Sequence, residues 1–382
     1  MFSRLLPALF FFLVLFVPTS RAQLGKNVPI PAGSDEDKQL KAINDASDPA
    51  QKLSLLDGFA QSHTNGDFAI VADEQYVNYY IAEKQYDKAF EYGDKLFALD
   101  PDNFNNAENM VRASNEKGDV DRLFAYAEKA AGILQRYKAA PPPEGTSADA
   151  WQQQKAQKLE SIKEYRTYIE GSFLNAAYRV SDPAKRAVLL QRFATLFPDS
   201  PSAEQALSMS AFSYQAAQNR PKMLEVASDL LAKNPDNIGM LVLLADDFSE
   251  KNEQLDKAEG HAKKAVALCD TAKKPAGSSD ADWQKQITLQ KGLALSALGQ
   301  ISIERKDNLG AVKNLTAAAP LLKANANPYA RNQYRLGFAY LNLKKIPEAR
   351  QALTEAASVD SPYKAPAQAK LKGMSAATKN AS

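Results

Sequence analysis

The stretch RNQYRLGFAYLNLKKIPEARQALTEAASVD, residues 331–360, reads as two helices joined by a short turn. Strong helix formers fill it, and no alternating β-branched run interrupts it. The same arrangement stands in IVADEQYVNYYIAEKQYDKAFEYGDKLFALDP, residues 70–101, and the spacing between such units is about 34 residues. Beyond a short polar segment ending near Ser34, almost the whole chain keeps this helical periodicity. Proline and glycine gather between the helical stretches, as in LDPDN (99–103), FPDSP (197–201) and NPDN (234–237). These are stop and restart signals, because proline is tolerated in the first turn of a helix and Asp, Asn or Ser caps it. The expectation is all-α: one stack of helical hairpins instead of two or three globular domains.

A longer period overlies the short one. SDPAQKLSLLDGFA (47–60) returns as SDPAKRAVLLQRFA (181–194), 134 residues later, with eight of fourteen positions identical. At nearly the same offset NPDN echoes DPDN, and GSSDADW (277–283) echoes GTSADAW (145–151). An internal duplication of about 134 residues follows, with a first unit over about 35–170, a second over about 171–310 and terminal repeats over about 311–373.

The 34-residue unit resembles the tetratricopeptide repeat family, whose fold is an α-solenoid of helix–turn–helix hairpins. In that frame residues 70–101 place Tyr80 at the aromatic position 11, Ala89 at the small position 20 and Pro101 at position 32. Residues 331–360 place Leu336-Gly337 at positions 7 and 8, Tyr340 at 11, Ala349 at 20 and Ala356 at 27. The copies between them match with Gly118 and Ala130, Tyr214 and Pro235, Ala258 and Ala265, and Leu298-Gly299 with Ala311. Leu123 and Met223 stand where the small residue belongs. A small residue at 20 lets the second helix approach the first, glycine at 8 relieves the crossing, the aromatic at 11 fills the gap and the proline stops the second helix. Two insertions, 139–160 and 273–292, break the period with Pro/Gly/Ser loops followed by capped helices that begin near Trp151 and Trp283. Each indole either packs on the preceding helical pair or projects towards a partner, and packing is the favoured reading since indole is usually buried.

Residues 1–22, MFSRLLPALFFFLVLFVPTSRA, have the form of a signal peptide: Arg4, then 13 apolar positions from Leu5 to Val17, then Ser20 and Ala22 at a cleavage site. A membrane anchor needs about 20 apolar residues, and Pro18 ends the run too early. No cysteine lies near the site, which excludes a lipoprotein. The expectation is therefore a secreted or periplasmic protein with no stable membrane insertion after signal cleavage, a flexible linker over 23–34 and a disordered tail over 374–382 behind a capping helix at 364–373.

With 382 residues, 45% hydrophobic and 24% charged, the chain is too apolar to be disordered. Lys and Arg number 47 against 45 Asp and Glu, and loss of Arg4 and Arg21 would leave 45 of each. That balance argues against nucleic acid and anionic membrane as partners. A lone Cys269 excludes an internal disulfide and reads as a buried thiol, while two histidines, His63 and His261, make a zinc site improbable and read as solvated. Asn314 and Asn380 open glycosylation motifs that matter only in a eukaryotic secretory pathway. No phosphate loop, metalloprotease, nucleophile-elbow or CxxC motif occurs, so neither enzyme activity nor a cofactor is expected.

The tetratricopeptide resemblance implies a groove lined by positions 2, 5, 9 and 12 of each first helix. Carried onto this sequence, these are Glu74 and Asn78, Glu108 and Arg112, Ser208 and Phe212, Asp246, Gln300, and Arg331, Tyr334 and Phe338. Phe212 and Phe338 read equally as core, and neighbours such as Asp246-Asp247 as solvated or capping groups. Such a groove suits an extended peptide or an amphipathic helix. The carboxylate clamp of some family members is not expected, because Ala297 stands where Asn is required. Three readings follow: an exported scaffold for protein or peptide partners, a glycan or small-solute binding module suggested by 15 Tyr and 17 Phe, and a helical-toroid hydrolase for which no acid/base pair is recognisable.

Overall fold

The computed structural model describes residues 24–274, 277 and 279–379. The expected signal peptide at 1–22 lies outside them. The described residues form eighteen helices and no strand. They run α1 (Asp35–Asp45), α2 (Pro49–Ser62), α3 (Asp67–Ala82), α4 (Tyr86–Leu99), α5 (Phe104–Lys117), α6 (Val120–Ala139), α7 (Ala148–Ser161), α8 (Lys163–Arg179) and α9 (Pro183–Leu196). Then follow α10 (Ala203–Ala216), α11 (Arg220–Lys233), α12 (Ile238–Lys251), α13 (Leu255–Thr271), α14 (Asp280–Glu304), α15 (Asn308–Leu322), α16 (Ala326–Asn342), α17 (Ile346–Ser358) and α18 (Lys364–Lys379). The chain divides into two compact units at Ala177/Tyr178. In unit 1, α1 packs on α2, α3 on α4 and α5 on α6, with α2 on α3 and α4 on α5 between the pairs. In unit 2 consecutive helices from α9 to α18 pack on one another, and α12, α14 and α16 also touch directly. The fold is all-α, an array of helical hairpins.

One backbone device repeats in six of the hairpin turns. Position 15 of the repeat is Lys84, Gly118, Gln218, Asn252, Lys306 and Lys344, and all six have φ between 54° and 78°. The next amide reaches back over the turn each time: Gln85 to Tyr80, Asp119 to Ser114, Asn219 to Tyr214, Glu253 to Phe248, Asp307 to Ser302 and Lys345 to Tyr340, at 2.8–2.9 Å. A left-handed residue with this six-to-one bond satisfies the orphan carbonyls of the first helix and reverses the chain. Five of the six are not glycine, although a left-handed L-residue costs roughly 1–2 kcal/mol. Lys344 is exposed. Lys344→Gly is therefore expected to stabilise unit 2 by up to about 1 kcal/mol, less what is lost to a freer unfolded chain, as read by urea denaturation.

The duplicated segments begin with the same cap. Asp48 accepts from Gln51 N ahead of α2, and Asp182 from Lys185 N ahead of α9, each followed by Pro at the first helical position. Leu56 and Phe59 in one copy, and Leu190 and Phe193 in the other, are fully buried. Position 20 is buried in every copy, as Ala89, Leu123, Met223, Ala258, Ala311 and Ala349. Close crossings fall at Gly299 and Gly337, where an added Cβ would lie 2.4 Å from Leu315 Cγ and 2.7 Å from Leu353 Cγ, and also at Gly93 and Gly292, where it would meet Met110 and Leu322.

Three segments depart from the sequence reading, while the first insertion takes the packed form favoured for it. The expected linker is docked: Leu24 is buried, its carbonyl accepts from Phe104 N at 3.4 Å, and Lys26 N donates to Asp100 Oδ2 at 2.8 Å. Gly25, at φ 110°, lets the backbone pass against Asp100 and Asn103. The expected tail continues as helix, since α18 runs to Lys379 with no breaker after Gly373. The first insertion folds back on α6, with Trp151 buried, its Nε1–H donating to Ala140 O at 2.9 Å and Lys155 Nζ donating to Lys138 O and Ala140 O at 2.7 Å. These donors cap the α6 C-terminus, so this indole packs. The second insertion fuses with the next repeat helix into the 25 residues of α14, whereas Ile162 interrupts the first between α7 and α8; Trp283 stays half-buried.

Candidate functional site

In unit 1, α3 and α5 bring the expected groove residues to one side of the stack. Glu74 accepts from Asn103 Nδ2 at 2.9 Å, and burial raises its carboxyl above the ordinary value. Asn78, exposed, accepts from Asn109 Nδ2 at 3.3 Å. Glu108 is buried and ion-paired with Arg112 one turn on, which orients the half-exposed guanidinium. That guanidinium stands 5.1 Å from the centroid of Tyr168 on α8, whose hydroxyl is 3.5 Å from Asn115 Nδ2. Asn109 and Tyr168 were not legible as part of this face. Asn109 lies one position past the expected set, and Tyr168 sits where the insertion has broken the repeat frame.

In unit 2 the expected residues divide. Phe212 packs partly buried against the core of α10–α13, and Tyr334 lies 5.8 Å from Tyr363. Gln300 donates to Glu304 at 2.7 Å. Phe338 is 36% exposed, with Lys370 Nζ 5.6 Å from its ring. Asp246 and Arg331, expected to face a ligand, are instead spent on each other: Arg331 donates to Asp246 Oδ2 at 2.9 Å. Arg335, only 5% exposed, donates to Ser296 O and Oγ at 3.2 and 2.9 Å and pairs with Glu250. Asp246 and Glu250 on α12 thus hold Arg331 and Arg335 on α16 across Ser296 of α14. Burial pulls the Arg335 guanidinium below the usual arginine value, and Asp246 opposes that. The neighbour Asp247, read as solvated or capping, is paired with Arg220 at 2.8 Å. Charges one turn apart on each helix could be read from sequence. That α12 and α16 approach across α14 could not.

The histidines are also less exposed than expected. His63 packs 4.5 Å from Phe59 and 5.1 Å from Phe68, with Nδ1 at 2.9 Å from Phe59 O and Nε2 at 3.6 Å from Glu36. His261 is half-buried, which lowers its pKa. Cys269 is buried as read, and burial pushes its thiol up to about 11. It should resist maleimide at pH 8 in the native chain and label fully in denaturant; rapid native labelling would contradict this packing. Among the described residues no His/Cys/Asp/Glu group could hold a metal ion, and no helix is long and apolar enough to cross a membrane.

Unit 1 also holds a cleft of about 550 Å³ between α2, α3 and α4, whose lining includes Asp57, Asp73, Tyr76, Tyr92 and Lys95. Burial raises Asp73 to about 6, against the pull of Lys95. A raised folded-state pKa means that the folded chain takes up this proton more readily than the unfolded one. The relative stabilisation is complete below about pH 4 and is lost as pH rises through 6. Asp73→Asn should therefore be more stable than the parent above about pH 6, with the gap closing towards pH 4. His63 and Asp57 face the same cleft, so thermal melts of both chains across that range isolate Asp73 as a difference.

No family model matches the chain, and no curated protein matches it. Solved structures similar to it include the TPR domain of P58(IPK), at 12% identity and TM-score 0.29 over 90% of this chain and 99% of that one. Yeast Tom70 is 12% identical, with TM-score 0.32 over 90% and 95%. A monomeric IFIT1 mutant with m7Gppp-AAAA is 13% identical, with TM-score 0.35 over 87% and 70%. Likenesses this low carry no argument by themselves, and the weight rests on the six in-register turns and the small residues at the helix crossings. On that ground the chain is an array of tetratricopeptide-type helical hairpins.

Proposed function

We propose that this chain is an exported, non-catalytic interaction array that binds protein or peptide partners on the first-helix faces of its repeats. The observation that carries the reading is position 9 of the repeat. Asn78, Arg112 and Phe338 present an amide, a cation and an aromatic ring there, oriented by Asn109, Glu108 and Lys370. Preset donors and acceptors of this kind match the backbone of an extended peptide, and the ring accepts an apolar side chain. The glycan reading loses part of its support, because Tyr76, Tyr79 and Tyr80 are buried within unit 1 and offer sugars no open platform. Export is supported by the signal-peptide form of residues 1–22.

The test is affinity isolation from the native cells with the parent chain and with the double variant Arg112→Ala, Phe338→Ala. The expected result is a defined protein set that the variant loses. Identical sets from both, or no protein with thermal stabilisation by an envelope glycan, would overturn the reading. N-terminal sequencing of the exported chain should begin at Gln23, and a chain retained in the cytosol with residues 1–22 attached would contradict export.

A further inference from the structure

The α2–α3–α4 cleft lies apart from positions 5 and 9, and its chemistry points to one kind of group. Lys95 Nζ stands 4.2 Å from the centroid of the Tyr92 ring, held by Glu91 at 2.8 Å. Tyr92 stacks on Tyr76 at 4.2 Å. A half-exposed ammonium of this chain therefore already occupies an aromatic face at the cleft mouth, which is the geometry of a cation–π contact. The Asp73 carboxylate, drawn partly out of water, accepts no hydrogen bond among the described residues, so its accepting capacity is unspent. Asp57 lines the same cleft, fixed by the Tyr76 hydroxyl donating to Oδ1 at 2.6 Å. The lining also includes Ala60, Ala69, Ala72 and Ala98, small apolar surface that suits an unbranched aliphatic stem, together with Gln61, His63, Thr64 and Leu99. A sugar ring is less well served, since Tyr92 is in contact with both Tyr76 and Lys95.

We propose that this cleft is a docking pocket for a lysine or arginine side chain of an extended partner segment. The methylene stem lies on the alanines, and the cationic head sits between Asp73, Asp57 and the Tyr92 ring. The incoming cation displaces Lys95, which acts as an internal competitor. This deepens the protein-binding reading and rests on it for the source of the side chain.

Titration calorimetry of the full chain with acetyl-Ala-Lys-Ala-amide and its norleucine counterpart tests the pocket directly. The lysine peptide should bind with a dissociation constant of roughly a millimolar, and the norleucine peptide about tenfold more weakly or worse. Asp73→Asn should weaken the lysine peptide about tenfold, while Lys95→Gln should tighten it several-fold, a gain that a merely structural lysine would not give. Equal binding of both peptides, no saturation of the parent chain by about 10 mM, unchanged affinity in Asp73→Asn, or displacement by a neutral oligosaccharide would each overturn the proposal. The peptides report on the cleft alone, and the partner isolation through Arg112 and Phe338 reports on the first-helix faces, so the two readings fail separately.

Discussion

Asp246→Leu should cost unit 2 about 3–5 kcal/mol, the range for removing one partner of a buried ion pair. The substitution takes away the carboxylate acceptor of Arg331 and leaves Glu250, itself 39% exposed, as the one acidic partner of both Arg331 and the nearly fully buried Arg335. The net worth of the intact cluster is smaller than that loss, because desolvation offsets most of the attraction. Adding Arg331→Met should recover part of the stability for the same reason. A repeat array need not unfold in one step, so the measurement has to be local. The two tryptophans allow this, Trp151 lying in unit 1 and Trp283 in unit 2. Urea unfolding followed by Trp283 fluorescence in a Trp151→Phe background should show the midpoint fall sharply, and an unchanged midpoint would deny the cluster a structural role.

Gly299→Val should be strongly damaging at its helix crossing, at about 3 kcal/mol. The added Cβ would stand 2.4 and 2.5 Å from Cγ and Cδ2 of Leu315, a fully buried side chain of α15. Leu315 has little room to retreat, since it lies in one core cluster with Ala311, Leu336, Ala339 and Ala352. Gly299→Ala should cost less, because alanine regains about 1 kcal/mol of helix propensity against the same clash. Gly260 on α13 supplies the control, as nothing lies within 4 Å of its added Cβ. Gly260→Ala should stabilise by about 0.5–1 kcal/mol, and a loss there as large as at Gly299 would mean that the close crossing is not the cause of the Gly299 effect.

The hairpin frame was legible because each of its rules is local. Pro49 after Asp48, Gly299 beside Leu298 and Ala349 at the small position 20 announce a cap, a crossing and a second helix with no knowledge of distant contacts. Even the degenerate copies with Leu123 and Met223 keep the register, since position 15 is left-handed throughout and those larger side chains are buried in place of alanine. The insertions were not legible in detail. Whether α7 and α8 break at Ile162 while α14 runs on depends on what each packs against, and neither glycine nor proline marks the difference.

The candidate site was legible only as a set of positions. Sequence placed Asn78, Arg112, Phe338, Asp246 and Arg331 on comparable faces, but the ion pair between α12 and α16 spans 85 residues and uses two of them internally. Tyr168 reaches Arg112 from outside the repeat frame. The α2–α3–α4 cleft draws Asp73 and Tyr92 from within the 70–101 repeat but from outside its groove positions, so no rule about those positions would find them.

Site-specific photo-cross-linking in the native cells tests the first-helix face as a partner surface most directly. A benzophenone amino acid would replace Asn78, Arg112 or Phe338 in turn, with Val188 and Leu309, both exposed, as control positions. The prediction is covalent capture of the same protein from all three face positions and from neither control. Capture at the controls to the same extent, or no capture anywhere while a glycan stabilises the purified chain, would contradict it.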